Sequence, residues 1–279
     1  MATENSSAPR TPRRATEVGI ASLGAIGRVL ASRIGDIPGY HLAAVSARRT
    51  DRAREHLSSI GSDADVVDAG EVAERSDLVI ECAPAAVFRE IAEPVIARGG
   101  TLVPLSAGAL LANWDLVDRA AETGATIHIP SGAILGLDAV QGAAQGTVAS
   151  VRMITRKPVR GLVGAPFLLE QGIDLSAVTE PVRIFSGTAR QAIEGFPANL
   201  NVAVALSLAG VGPDRTEMEV WADPDLTRNT HVVEVDSDSA RLELRIENIP
   251  SENPATGRLT ALSVLALLRK LRAPLRIGT

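Results

Sequence analysis

The residues of this chain with the chemistry of a reaction site are four histidines and short glycine, serine and asparagine runs beside apolar segments. Histidine is the side chain whose ordinary pKa lets it exchange a proton near neutrality. His41 begins an apolar stretch, His56 sits in a polar one, and His128 alternates within an apolar run. His231 stands apart, following Asn229 and Thr230 at an edge without periodic packing. From the residues alone it reads either as an acid–base group or as an ordinary structural histidine. No His-x-x-x-His or Cys-x-x-Cys pair occurs, so no metal site is expected. Cys82, the one cysteine, reads as a small buried residue.

A second site is written in Ser22-Leu-Gly-Ala-Ile-Gly27, between an apolar strand and a helix start. Free backbone N–H groups and the helix dipole make such a turn a phosphate site. Ser22 replaces the first glycine of G-x-G-x-x-G. Gly24 and Gly27 remain, the first for close approach of a pyrophosphate, the second for tight helix–strand packing. Ala25 and Ile26 belong to the same turn. The next strand ends in Ser46-Ala-Arg-Arg49 with no carboxylate to take a ribose 2′-hydroxyl. Arg48 and Arg49 would instead pair with a 2′-phosphate, unless they are a solvated helix start. The cofactor expected is NAD or NADP. Ala83, just past the strand Asp77–Cys82, is counted with the cofactor site, as is Ala133 in Ser131-Gly-Ala133 beyond the last strand. Asn199 and Asn201 open an apolar helix, either as caps or facing a ligand.

The elements that position these residues alternate. Strands at 18–21, 41–46, 77–82, 101–106 and 126–130 are separated by helices at 24–34, 51–60, 87–98 and 113–123, which means βαβ units and a parallel sheet. After Ile134 strands are expected at 148–155 and 181–186, with helices at 189–194 and within 196–209. The runs 218–222, 230–236 and 241–248 alternate like antiparallel strands, so an antiparallel second sheet is expected. A last helix, 258–271, is apolar on most of its surface and should pack back on the first unit. The expected fold is α/β: a Rossmann-type parallel sheet domain (17–134), a second α+β domain (135–254), and a returning C-terminal helix (255–279). Residues 1–16 read as a disordered tail without the apolar core of a signal peptide.

Composition narrows the class. The chain has 279 residues, 46% of them hydrophobic and only 3% aromatic, so aliphatic side chains must build two modest cores. A net charge of −5 argues against nucleic acid as a partner, and no run is long enough to span a membrane. A cytoplasmic protein is expected.

Several stretches together resemble the L-aspartate dehydrogenase family. They are Glu81-Cys-Ala-Pro-Ala-Ala86, Ser106-Ala-Gly-Ala-Leu110, Ile129-Pro-Ser-Gly-Ala-Ile134 with Gly136-Leu-Asp138, Phe196-Pro-Ala-Asn-Leu-Asn-Val202, Ala209-Gly-Val-Gly212, Ala222-Asp-Pro224, Asn229-Thr-His231 and Asn248-Ile-Pro-Ser-Glu-Asn-Pro254. They run in order along nearly the whole chain. The resemblance implies reversible oxidation of L-aspartate to iminosuccinate, which hydrolyses to oxaloacetate and ammonia and can feed NAD biosynthesis. It puts the catalytic histidine on His231 and nicotinamide contacts on Ala133 and Asn199. It also implies a homodimer, with the second sheet as the interface. A dicarboxylate substrate asks for basic groups, and Lys157 and Arg228 are candidates beside Asn229, with Asp223 and Glu247 behind them. His231 would manage the amine proton and activate water, titrating near its ordinary pKa of about 6.5. Two other readings stay open. One is a different amino-acid dehydrogenase or imine reductase on this scaffold. The other is a cofactor-sensing regulator, which would have no need of an acid–base residue.

Overall fold

A computed structural model describes residues 14–197, 200–250 and 257–279. Most of the expected tail therefore lies outside the described residues, and Thr16 already belongs to the first strand. Strand β1 (Thr16–Ala21) is central, because Val18, Ile20 and Ala21 are wholly buried. Around it β2 (Tyr40–Ser46), β3 (Asp65–Val67), β4 (Leu78–Glu81), β5 (Thr101–Pro104) and β6 (Thr126–Ile127) form a parallel sheet in the order β3-β2-β1-β4-β5-β6. Parallel neighbours need crossovers. These are α1 (Ala25–Ile34), α2 (Thr50–Ser59), α3 (Ala69–Glu74), α4 (Phe88–Ala97), and α5 (Ala107–Ala112) with α6 (Asp115–Thr123). The sequence pattern did not mark β3, α3 or α5, which are only three to six residues long. The run 126–130 is strand for two residues only, so His128 lies past the end of β6 and is half-buried.

The second unit is built on one mixed sheet: β7 (Val148–Pro158), β8 (Val182–Thr188), β9 (Thr216–Asp223), β10 (Asn229–Ser237) and β11 (Arg241–Asn248), in the order β11-β10-β7-β9-β8. Here the expected antiparallel arrangement fails at one place. β7 inserts between β9 and β10 and pairs with β9 in parallel. Alternation reports which face a side chain takes but not the direction of its neighbour, so the sequence could not show this. The apolar face, including Val151, Met153, Met218, Val220, Val233 and Val235, packs under α7 (Leu137–Ala143), α8 (Pro166–Glu170), α9 (Ala189–Gly195) and α10 (Asn201–Ala209). Phe167, Phe185 and Phe196 meet there with centroids 5.4 to 5.8 Å apart. The opposite face carries Glu219, which accepts from Arg152 (2.7 Å), Arg183 (3.1 Å) and Trp221 (2.8 Å).

The last helix, α11 (Leu259–Arg272), returns to the first unit and packs on α1, burying Ala261, Val264, Leu265 and Leu268 beside Leu30 and Ile34. Its burial is one-sided: Leu259 and Leu262 remain exposed.

Candidate active site

All strands of the first sheet end on one edge, and the chain leaves β1 to one side and returns to β4 on the other. That reversal opens a crevice at the carboxyl ends of the strands. Its turns face β7, β10, β11 and α10 across a cavity of about 680 Å³.

The β1–α1 turn forms the first wall. Ser22 takes φ +84°, a left-handed conformation that costs a residue with a Cβ about 1–2 kcal/mol. It is held by its N–H donating to Ser46 Oγ (3.1 Å) and by the Leu23 N–H donating to the Ser46 carbonyl (2.8 Å). A Cβ on Gly27 would sit 2.3 Å from the Ser22 carbonyl oxygen, so only glycine lets α1 start there. A Cβ on Gly24 would meet nothing nearer than 3.9 Å, leaving open space over the helix N-terminus. Ser22, Gly24, Ala25 and Ile26 line the cavity, whereas Gly27 lies beneath it, buried. Arg48 lines the cavity too; Arg49 precedes α2 and does not.

Ala83 and Ser106 form the next wall, over a carboxylate that sequence reasoning passed by. Glu81 is fully buried and accepts from the Ala83 N–H (2.7 Å), the Ser106 N–H (3.0 Å) and Ser106 Oγ (3.1 Å). Burial raises its pKa, against the pull of these donors. A glutamate closing the apolar run Leu78-Val-Ile-Glu81 was the available signal. Cys82 lines the same wall, and burial pushes its thiol well up, so it carries no thiolate near neutrality. The turn with Ala133 is tied from two sides. Asn248 Nδ2 donates to the Ala133 carbonyl (2.9 Å), and the Gly132 N–H donates to Ser263 Oγ (3.1 Å). Asn201 does not cap α10; its Oδ1 accepts the Gly108 N–H (3.0 Å), joining the two units. Asn199 lies outside the described residues.

The opposite wall holds the groups able to move protons. His231 is not at an irregular edge. It is the third residue of β10, between β7 and β11, and only 3% exposed. Its Nδ1 lies 3.2 Å from Thr155 Oγ1, itself fully buried. Burial, and then the charge of Lys157, push its pKa down to about 3. The expectation of titration near 6.5 is thus corrected, and the ring is neutral at neutral pH. Lys157, expected as a candidate among ordinary surface cations, is 2% exposed and lines the cavity; burial pushes it down to about 8. Asn229 lines the cavity as well, but Arg228 is exposed and outside the lining. Asp223 pairs with Arg156 at 3.8 Å on the far face of the sheet, and Glu247 with Arg245 at 2.9 Å, so neither stands behind the cavity. Among the described residues no cluster of three His, Cys, Asp or Glu side chains could hold a metal.

Residues 138–271 match the family model described as aspartate dehydrogenase, C-terminal, and residues 23–130 the one described as homoserine dehydrogenase, NAD binding domain. The L-aspartate dehydrogenase of Bradyrhizobium diazoefficiens is 52% identical over 94% of this chain and 94% of its own. The chain belongs to the L-aspartate dehydrogenase family. L-aspartate dehydrogenase 3 of Bordetella bronchiseptica is likewise 52% identical, over 94% of this chain and 97% of its own. The crystal structure of aspartate dehydrogenase from Thermotoga maritima superposes with a TM-score of 0.71 at 24% identity, covering 94% of this chain and 99% of that one, which shows the shared fold. The likeness to the L-aspartate dehydrogenase family covers both sheets and every wall of the cavity.

Proposed function

We propose that the protein catalyses the reversible NAD(P)-dependent oxidation of L-aspartate to iminosuccinate, which hydrolyses to oxaloacetate and ammonia. The observation that carries this is identity of 52% to L-aspartate dehydrogenases across both units. The crevice fits a dinucleotide. The N-terminus of α1 is open above Gly24, so N–H groups and the helix dipole are free for a pyrophosphate. Small residues at Ala83 and Ala133 leave room for a ring, and Asn199 belongs to the same proposal. A nicotinamide held there would supply the hydride acceptor for the substrate Cα. Arg48, with no carboxylate on the lining beside it, favours a 2′-phosphate.

His231 is the catalytic histidine of this reading, and Asn229 and Lys157 face the substrate. A substrate with two carboxylates fits a wall whose charged group is a lysine and which holds no aspartate or glutamate among the described lining residues. No helix among the described residues is long and apolar enough to cross a membrane. A cytoplasmic homodimer supplying iminosuccinate to NAD biosynthesis completes the proposal.

One assay tests it. With oxaloacetate and ammonium the protein should consume reduced nicotinamide cofactor faster than with pyruvate or 2-oxoglutarate. Arg48→Ala should lose about tenfold or more with NADPH, on the order of 1.5–3 kcal/mol for a charge-assisted hydrogen bond, and far less with NADH. Arg49→Ala should change neither. Turnover with another 2-oxo acid and none with oxaloacetate would remove aspartate from the reading.

A further inference from the structure

Lys157, Asn229 and Asn248 stand level across the adjacent strands β7, β10 and β11, and His231 with Thr155 forms the next rank on the same face. The register fixes this: Asn229 pairs with Asn248, His231 with Thr155, and Thr230 with Arg156. Lys157 is enclosed, yet no hydrogen bond or ion pair to any described residue satisfies its ammonium. Its side chain is buried and lines the cavity, so a ligand in that cavity is what can meet the ammonium. A substrate amino acid brings both carboxylates and a proton that must be removed, because Cα cannot release a hydride while its nitrogen is an ammonium.

We infer that Lys157 is the proton acceptor for the substrate ammonium, leaving His231 to the water that hydrolyses the imine. This rests on the aspartate reading and divides between two residues what the sequence assigned to one.

The groups around Lys157 support the division. On β10 the titratable group on its face is His231; on β9 its partner is Ala222, while Asp223 and Arg156 lie on the other face. β11 contributes Asn248, and α10 contributes Asn201, Val202 and Ala205, none of them titratable near neutrality. Cys82 and Arg48 belong to the opposite wall. Lys157, at about 8, is therefore the cavity group on this wall that exchanges a proton close to neutral pH, whereas His231 at about 3 holds none there. A neutral Lys157 takes a proton from R₂CH–NH₃⁺, giving R₂CH–NH₂ and a lysine ammonium. The substrate is then a dianion, and the new cation sits beside it, so no net charge is added to the enclosed space. A bound nicotinamide would supply the hydride acceptor, and loss of the Cα hydride with the nitrogen lone pair forming C=N would give R₂C=NH₂⁺. Water adds to that carbon and its proton passes to the His231 imidazole. His231 returns the proton to nitrogen, the C–N bond breaks, and nitrogen departs as ammonium with the hydroxyl proton, leaving the ketone.

The test uses the fact that the chain has only two lysines, Lys157 and Lys270. With lysine labelled by ¹³C at Cε, two signals appear, and Lys157→Met identifies the one that matters. That signal should titrate near neutrality in the full-length protein without substrate. Lys157→Met and Lys157→Arg should each lower kcat for aspartate by about 10²–10⁴-fold, the range of a positioned acid–base group, while melting at or above the wild-type temperature. Arginine keeps the charge but releases no proton, so it separates a base from an anchor. Lys157→Arg within tenfold of wild type, with Lys157→Met raised in KM alone, would make the lysine a carboxylate anchor and overturn the inference. So would a Cε signal that stays protonated to pH 10. Failure of the aspartate reading is seen separately, as a wild type inactive with oxaloacetate and ammonium, because the titration needs no substrate.

Discussion

His231 and Lys157 are both buried in one wall of the cavity, and that has a consequence apart from catalysis. The unfolded chain binds a proton at His231 below about 6.5, but the folded one only below about 3. Between those values the unfolded state holds more protons, so stability falls as pH drops, by up to about 1.4 kcal/mol per unit. Lys157 repeats the pattern higher: its pKa is about 8 folded against 10.5 unfolded, so stability rises as pH climbs through that interval. Denaturant melts of His231→Asn should therefore depend less on pH from 6.5 to 3, and those of Lys157→Met less above 8. Parallel curves for wild type and variants would place both side chains in contact with water. None of this was legible in the sequence, where Lys157 and Arg228 weigh the same. Charge is written in a residue's name, burial is not, and the enclosure of Lys157 arises from a strand inserted between two others.

At the scale of elements the sequence was most legible where one short segment does everything. The glycines of the β1–α1 turn were readable, since a Cβ on Gly27 would meet the Ser22 carbonyl in the same short segment; the left-handed Ser22 was not. Gly27→Ala should lower stability by about 1–3 kcal/mol through overpacking and weaken dinucleotide binding with it. Ser22→Gly should melt no lower than wild type, because glycine relieves the left-handed strain at φ +84°. Opposite ranks in thermal denaturation would mean that the turn is held in some other shape. Legibility fell where partners are distant. The parallel pairing of β7 with β9 and the bond from Asn201 to Gly108 join segments tens of residues apart. His231 looked irregular because it lies only two residues inside β10, close behind the exposed Arg228 that precedes the strand.

For the whole molecule, the two sheets contribute unequally: one supplies turns that fit a dinucleotide, the other the ionisable wall. The outward face of the second sheet, with Arg152, Arg183 and Trp221 gathered on Glu219, is where the proposed homodimer would form. It offers both signs of charge, which lets such a surface complement its own copy. Sedimentation at micromolar concentration should give a dimer, and Arg152→Glu with Arg183→Glu should give monomers. A wild-type monomer under those conditions would end that part of the proposal.

The pairing of α1 with α11 carries a consequence for how the chain is made. Domains generally fold from the N-terminus as they emerge during synthesis, yet the helix that packs on α1 begins only at Leu259. Leu30 and Ile34 wait, uncovered on their outer side, while the entire second unit is translated. The nascent first sheet is thus an unfinished object until the final helix leaves the ribosome. A message cut short before that helix would yield a chain with both of its sheets encoded and a greasy seam left open beside the phosphate turn.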